Sequence, residues 1–114
     1  METLSAREVR RILIRNTDFR LVNVLPPERF DEQHVPNSVN VPLSDDEFAP
    51  RVEDLVGGKG AKVVVYCAGP SCDASRRAAE RLEAAGFQNV ADFEGGVQAW
   101  RSAGYSLEGQ AVEA

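Results

Sequence analysis

The sequence predicts one α/β domain, a mostly parallel β-sheet with helices on both faces. Three observations carry that prediction. With 114 residues, 43% hydrophobic and 27% charged, the chain has the size and balance of one globular core. Short strand-like segments alternate with segments of helical periodicity, the pattern of βαβ units. Val63-Val64-Val65-Tyr66 is an unbroken apolar run, as expected of a central strand buried on both faces.

Taken in order, the first element is a helix from Ser5. Ser5-Ala6-Arg7-Glu8 has the form of a capping box, in which hydroxyl and carboxylate satisfy orphan amides reciprocally. Val9, Ile12 and Leu13 then share one face. A strand is expected over Phe19 to Val24, stopped by Pro26-Pro27, then a helical turn over Glu28 to Glu32. A short strand, Ser38-Val39-Asn40-Val41, ends at Pro42. Ser44-Asp45-Asp46-Glu47 is expected to open a helix with acidic residues at its positive end, carrying Phe48, Val52 and Leu55 inward as far as Gly57-Gly58. Lys62 to Tyr66 is the strongest strand. A loop from Cys67 to Cys72 leads into a helix with Ala74, Ala78, Leu82 and Ala85 on one stripe, closed by Gly86 as a left-handed cap. Asn89 to Phe93 reads as the last strand and Gly96 to Ser102 as the last helix, with a loose tail over Glu108 to Ala114. The whole is one domain, 1–114, with its core at about 4–107.

Thirteen basic against eighteen acidic residues give a net charge of -5, which argues against nucleic acid or an anionic membrane surface as partner. The longest apolar run, Val63 to Cys67, is too short to span a bilayer. The opening Met1-Glu2-Thr3-Leu4-Ser5 lacks the features of a secretory signal. Two cysteines without an export signal point to a reducing, cytoplasmic setting in which a thiol is kept for reactivity.

The chemistry concentrates at Cys67. In open parallel sheets, ligands sit beyond the carboxyl ends of the strands, and Cys67 directly follows the central one. Amides of the loop Ala68, Gly69, Pro70 (which has none), Ser71, Cys72 and Asp73, with the amino end of the following helix, are expected to cradle its sulfur and lower its pKa. The bland alternative is a small buried residue closing the strand.

Val64-Val65-Tyr66-Cys67, Ala85-Gly86-Phe87 with Asn89-Val90, and Phe93-Glu94-Gly95-Gly96-Val97-Gln98-Ala99-Trp100 together resemble the rhodanese domain. Leu21-Val22-Asn23-Val24 and His34-Val35-Pro36 through Asn40-Val41-Pro42 continue the resemblance upstream, so that it runs from about Leu4 to Leu107. It implies a single rhodanese-like domain with a mostly parallel five-stranded sheet. It also implies a sulfurtransferase, in which Cys67 takes sulfane sulfur from thiosulfate or a persulfide donor. The sulfur would be held as a persulfide and passed to cyanide, a thiol or a protein acceptor, with no cofactor and no metal.

The active loop departs from the family form C-x-x-G-x-R-S: it is two residues longer and holds no arginine before Ser75. Asp73 is expected to repel an anionic donor and raise the thiolate pKa, while Arg76 and Arg77 read as surface charges. Cys72 is a candidate resolving thiol, able to attack a Cys67 persulfide, or else a packing residue. His34 is expected to fix a loop and Trp100 to be core. Asn23 and Leu25 stand where the family often has Asp and Arg. Two rivals follow. A phosphatase of this architecture needs C-x5-R, and the sixth residue after Cys67 is Asp73, which excludes it. A non-catalytic module, binding a partner or sensing redox state through Cys67 and Cys72, stays open.

Overall fold

The computed structural model describes residues 1–15 and 19–111. Five strands, β1 (Glu2–Thr3), β2 (Phe19–Asn23), β3 (Ser38–Asn40), β4 (Lys62–Tyr66) and β5 (Val90–Phe93), form one sheet in the order β1-β5-β4-β2-β3, and every strand pair is parallel. Five helices accompany them among the described residues: α1 (Ala6–Arg15), α2 (Pro27–Glu32), α3 (Phe48–Val56), α4 (Ala74–Ala84) and α5 (Gly96–Ser102). The fold class is therefore the one the sequence predicts.

β4 lies in the middle because its valines are apolar on both sides, and the two cores divide along its alternation. Val63, Val65 and Cys67 pack under α3 and α4 with Phe48, Val52, Ala78, Ala79 and Leu82. Val64 and Tyr66 face α1 and α5 with Val9, Phe93, Val97 and Trp100. The chain leaves β2 toward β3 on one side and β4 toward β5 on the other. The carboxyl ends of β2 and β4 thus flank the crevice where an open parallel sheet binds its ligand.

The capping box forms as expected, with the Ser5 amide donating to Glu8 Oε1 at 3.0 Å and the Glu8 amide to Ser5 Oγ at 3.2 Å. Gly86 takes φ 100° and closes α4. Four readings need correction. β1 was not read from its residues, since Glu2 and Thr3 are exposed and carry no strand pattern; backbone pairing with β5 alone makes it a strand. α3 starts at Phe48 rather than at the acidic residues, because Asp45 Oδ1 takes the Glu47 amide at 2.8 Å and holds a turn ahead of the helix. Leu55 is 39% exposed, so that helix buries only Phe48 and Val52. The tail is not loose over its first four residues. Glu108 forms an antiparallel bridge with His34, and the amides of Gln110 and Ala111 donate to the carbonyls of Asp31 and Glu32. Residues 112–114 lie outside the described residues. None of the described helices is long and apolar enough to cross a membrane.

Candidate active site

The loop after β4 is pinned at its start by α5. The Val97 amide donates to Cys67 O at 3.1 Å and the Gln98 amide to Ala68 O at 2.9 Å. That approach requires glycine at position 96. Its φ is +57°, and a Cβ there would lie 2.2 Å from Cys67 O. A Cβ on Gly69 would lie 2.6 Å from Gln98 Oε1, and the Cys72 amide closes a tight turn onto Gly69 O at 3.0 Å. The turn brings the second cysteine back over the first. Both thiols are free.

The expected amide cradle around Cys67 does not form as read. Cys67 is fully buried, and its thiol donates to the carbonyl oxygen of Cys72 at 3.3 Å. A carbonyl there favours the neutral thiol. Burial pushes the Cys67 pKa up and the neighbouring Cys72 thiol adds to that, against a smaller lowering by Ser75. At Cys72 the balance runs the other way. Burial acts upward there too, but the Cys67 thiol and the Ala74 and Ala68 amides outweigh it and the opposing charge of Asp73, leaving Cys72 below its ordinary range. The pair is therefore asymmetric: a closed, protonated Cys67 beneath a partly exposed Cys72 that ionises more easily. The turn geometry that aims a carbonyl rather than an amide at Cys67 has no signature in residue types.

Asp73 does not stand as a bare negative charge, since Arg76 and Arg77 approach it at 3.9 and 3.8 Å. All three are well exposed, so the pairing tempers their fields without adding much stability. Cations that the loop lacks are supplied from elsewhere. A cleft of about 310 Å³ beside Ala68 is lined by Arg29 of α2 and Arg101 of α5, together with Leu25 and Gln33. A second, of about 370 Å³ beside Ala74, carries Arg77 and Arg81 of α4. Arg29, Arg81 and Arg101 were not singled out from the sequence, because they come from separate helices and share no motif.

His34 takes the structural role expected of it, stacked on Phe30 at 3.9 Å with Nδ1 2.7 Å from Phe30 O. Trp100 is core, its indole donating to Ser106 O at 2.8 Å. Asn23, where an acid was the alternative, is buried and accepts the Leu25 amide on Oδ1 at 2.9 Å, fixing the end of β2 without a charge. Asp92, also buried, was missed as more than a strand residue. Its alternation with Val90, which places it inside, was the available signal.

The fold has counterparts among known proteins. A family model for the Rhodanese-like domain matches residues 5–103. The HTH-type transcriptional regulator Rv0324 of Mycobacterium tuberculosis is 32% identical over 88 residues, 77% of this chain and 37% of that protein. The thiosulfate sulfurtransferase GlpE of Pseudomonas syringae pv. syringae is 32% identical over 82 residues, 72% of either chain. A solved thiosulfate sulfurtransferase from Pseudomonas aeruginosa superimposes with a TM-score of 0.86 at 26% identity, covering 96% of this chain and 20% of that one. The chain spans between a fifth and a half of the length of several of its curated relatives.

Proposed function

The chain belongs to the rhodanese-like domain family, and on that premise we propose that it is a sulfurtransferase that holds sulfane sulfur as a persulfide on Cys67. The observation that carries the reading is the position of Cys67 at the carboxyl end of the central parallel strand, in a loop pinned by α5 and flanked by arginine-lined clefts. Thiosulfate or a persulfide donor would enter there. The Cys67 sulfur bonds to the donor's outer sulfur, the donor's own bond to that sulfur breaks, and the electron pair leaves with sulfite or a thiolate. Cyanide, a small thiol or a protein thiol then takes the outer sulfur and returns Cys67. Arg29 and Arg101 favour an anionic donor in place of the family's loop arginine. Free thiols suit a reducing, cytoplasmic setting.

Cys72 is the resolving thiol in this scheme. Its carbonyl accepts the Cys67 thiol at 3.3 Å, and its own thiol is the easier of the two to ionise. Attack by its thiolate on Cys67 Sγ would form a Cys67–Cys72 disulfide and release hydrosulfide. That contact also favours the second reading, a redox-sensing module without transfer.

Intact-protein mass spectrometry separates the two after incubation with thiosulfate or with glutathione persulfide. A gain of one sulfur that is absent in Cys67→Ser supports the transferase, with Cys72→Ser still loading but differing in turnover or oxidation. Loss of two protons without a sulfur adduct, together with no adduct in Cys72→Ser, supports the redox pair. Equal loss of loading in both variants would overturn the assignment of roles.

A further inference from the structure

Positive charge is unevenly placed in this chain. The net charge is -5, yet four of the thirteen basic residues, Arg7, Arg10, Arg11 and Arg15, lie within the ten residues of α1. With Ile14 they recur at i, i+3, i+4, i+7 and i+8, so one stripe of the helix carries all five. The opposite stripe, with Ala6, Val9 and Leu13, packs against the sheet beside Val97 and Trp100. All four arginines are exposed, and Ile14, at 65%, is the most exposed large apolar side chain among the described residues. The one acid of the helix does not neutralise the stripe, because the Glu8 carboxylate turns back onto the Ser5 amide. None of the ion pairs among the described residues involves these arginines. Arg10 lies over the Tyr105 ring, 4.7 Å from its centroid, and the stripe together with that ring lines a cleft of about 260 Å³.

We propose that this cleft is a docking surface for an acidic protein segment, whose carboxylates pair with the arginines while one aliphatic side chain seats against Ile14 and Tyr105. Charge complementarity is the first argument. Every basic residue of α1 is arginine, whose planar fork takes a carboxylate bidentately and gives up its water more readily than an ammonium does. From Arg7 to Arg15 the helix axis rises about 12 Å, so one short segment reaches the whole row. The apolar member of the stripe is the second argument. A phosphate backbone offers nothing to an exposed isoleucine, whereas an interface between proteins combines arginine contacts with an apolar anchor. The third is the rest of the molecule. With a net charge of -5 it repels an extended polyanion, whether a nucleic acid duplex or an anionic membrane, wherever that polyanion reaches past the stripe. A short acidic segment meets the stripe alone. α1 covers the face of the sheet opposite the Cys67 layer, so the proposal stands apart from the sulfurtransferase reading.

The test uses the full chain and a short, fluorescently labelled synthetic helix with glutamates at three- and four-residue spacing and one leucine in the same row. Fluorescence anisotropy follows binding at low and at physiological salt. The expected result is saturable binding that weakens as salt rises and falls on the order of tenfold in Arg11→Glu. Lys59→Glu, an equal change of charge at an exposed residue ahead of β4, should leave binding unchanged. Ile14→Ser, or serine in place of the peptide's leucine, should weaken it about fivefold. Should Arg11→Glu fail to fold, Arg7→Glu, an acid suited to the first turn of a helix, takes its place. Absence of binding, or equal weakening by Arg11→Glu and Lys59→Glu, overturns the proposal. Tighter binding to a DNA duplex or to phosphatidylserine vesicles than to the peptide also overturns it, and makes the stripe a surface for polyanions. Self-association of the unmutated chain in sedimentation, lost in Arg11→Glu, overturns it in favour of a second copy of this chain.

Discussion

On the α1/α5 side of the sheet, Tyr66, Phe93, Trp100 and Tyr105 form a run of ring contacts with centroids 6.1, 6.4 and 4.9 Å apart. The polar ends of Tyr66 and Trp100 are tied. Tyr66 Oη accepts the Val35 amide at 3.0 Å and lies 2.7 Å from Ser38 Oγ, and the Trp100 indole reaches Ser106 O. On the α3/α4 side, the next residues along the same strands are Cys67 and Asp92, with Ser75 over them and a carboxyl oxygen left without a partner. Tyr66 and Cys67 are neighbours in sequence, as are Asp92 and Phe93, yet each pair is split between the layers. The two-residue period of a strand lets one sheet carry dense aromatic packing on one face and a buried thiol and carboxyl on the other.

That division can be broken in three places. Trp100→Ala should have the largest effect, a loss of about 4 kcal/mol in urea unfolding, while the folded fraction still loads sulfur on Cys67. Impaired loading by folded molecules would show that the faces are not separable. Gly96→Ala strikes where the faces meet, since its Cβ would collide with the Cys67 carbonyl. It should cost about 2 kcal/mol and also speed alkylation of the buried Cys67, so a drop in thermal midpoint with unchanged thiol reactivity would detach α5 from the loop. Asp92→Asn should have the smallest effect and the opposite sign. A raised folded pKa means that the native state binds this proton more tightly than the unfolded chain does. Wild-type stability from this group is therefore full below the unfolded aspartate pKa and is lost as pH rises through the folded value. The Asn variant, which does not titrate, should match or trail wild type in acid and exceed it by about 1 kcal/mol near neutral pH. Urea unfolding at several pH values checks this, and a gap that narrows toward neutral pH would mean that the carboxyl is not desolvated.

What the sequence made legible follows from where its signals are local. The capping box at Ser5, the cap at Gly86 and the run Val63 to Tyr66 announce themselves through neighbouring residues, and each element stands where it was expected. Cys67 was placed correctly at the strand end for the same reason. β1 escaped because a two-residue edge strand owes its existence to a partner far along the chain. Leu55 was misread because helical spacing gives a stripe but not its width. The loop was read as amides around Cys67, whereas the turn from Gly69 to Cys72 presents a carbonyl, a matter of backbone rotation that residue types leave open. The cations of the crevice come together only in three dimensions.

Seen in time rather than in space, the pairing of β1 sets an order of events. Glu2 and Thr3 precede the other strands in chain order, and their partners Ala91 and Asp92 come only after β2, β3 and β4. Such long-range closure is slow and comes late. The Leu4 amide finally donates to the Asp92 carbonyl at 3.0 Å, so the first-made edge is latched onto the residue that bears the orphan carboxyl. Until that latch forms, a nascent chain can keep the Asp92 side chain in water, and the site acquires its dry interior only in the last act of assembly.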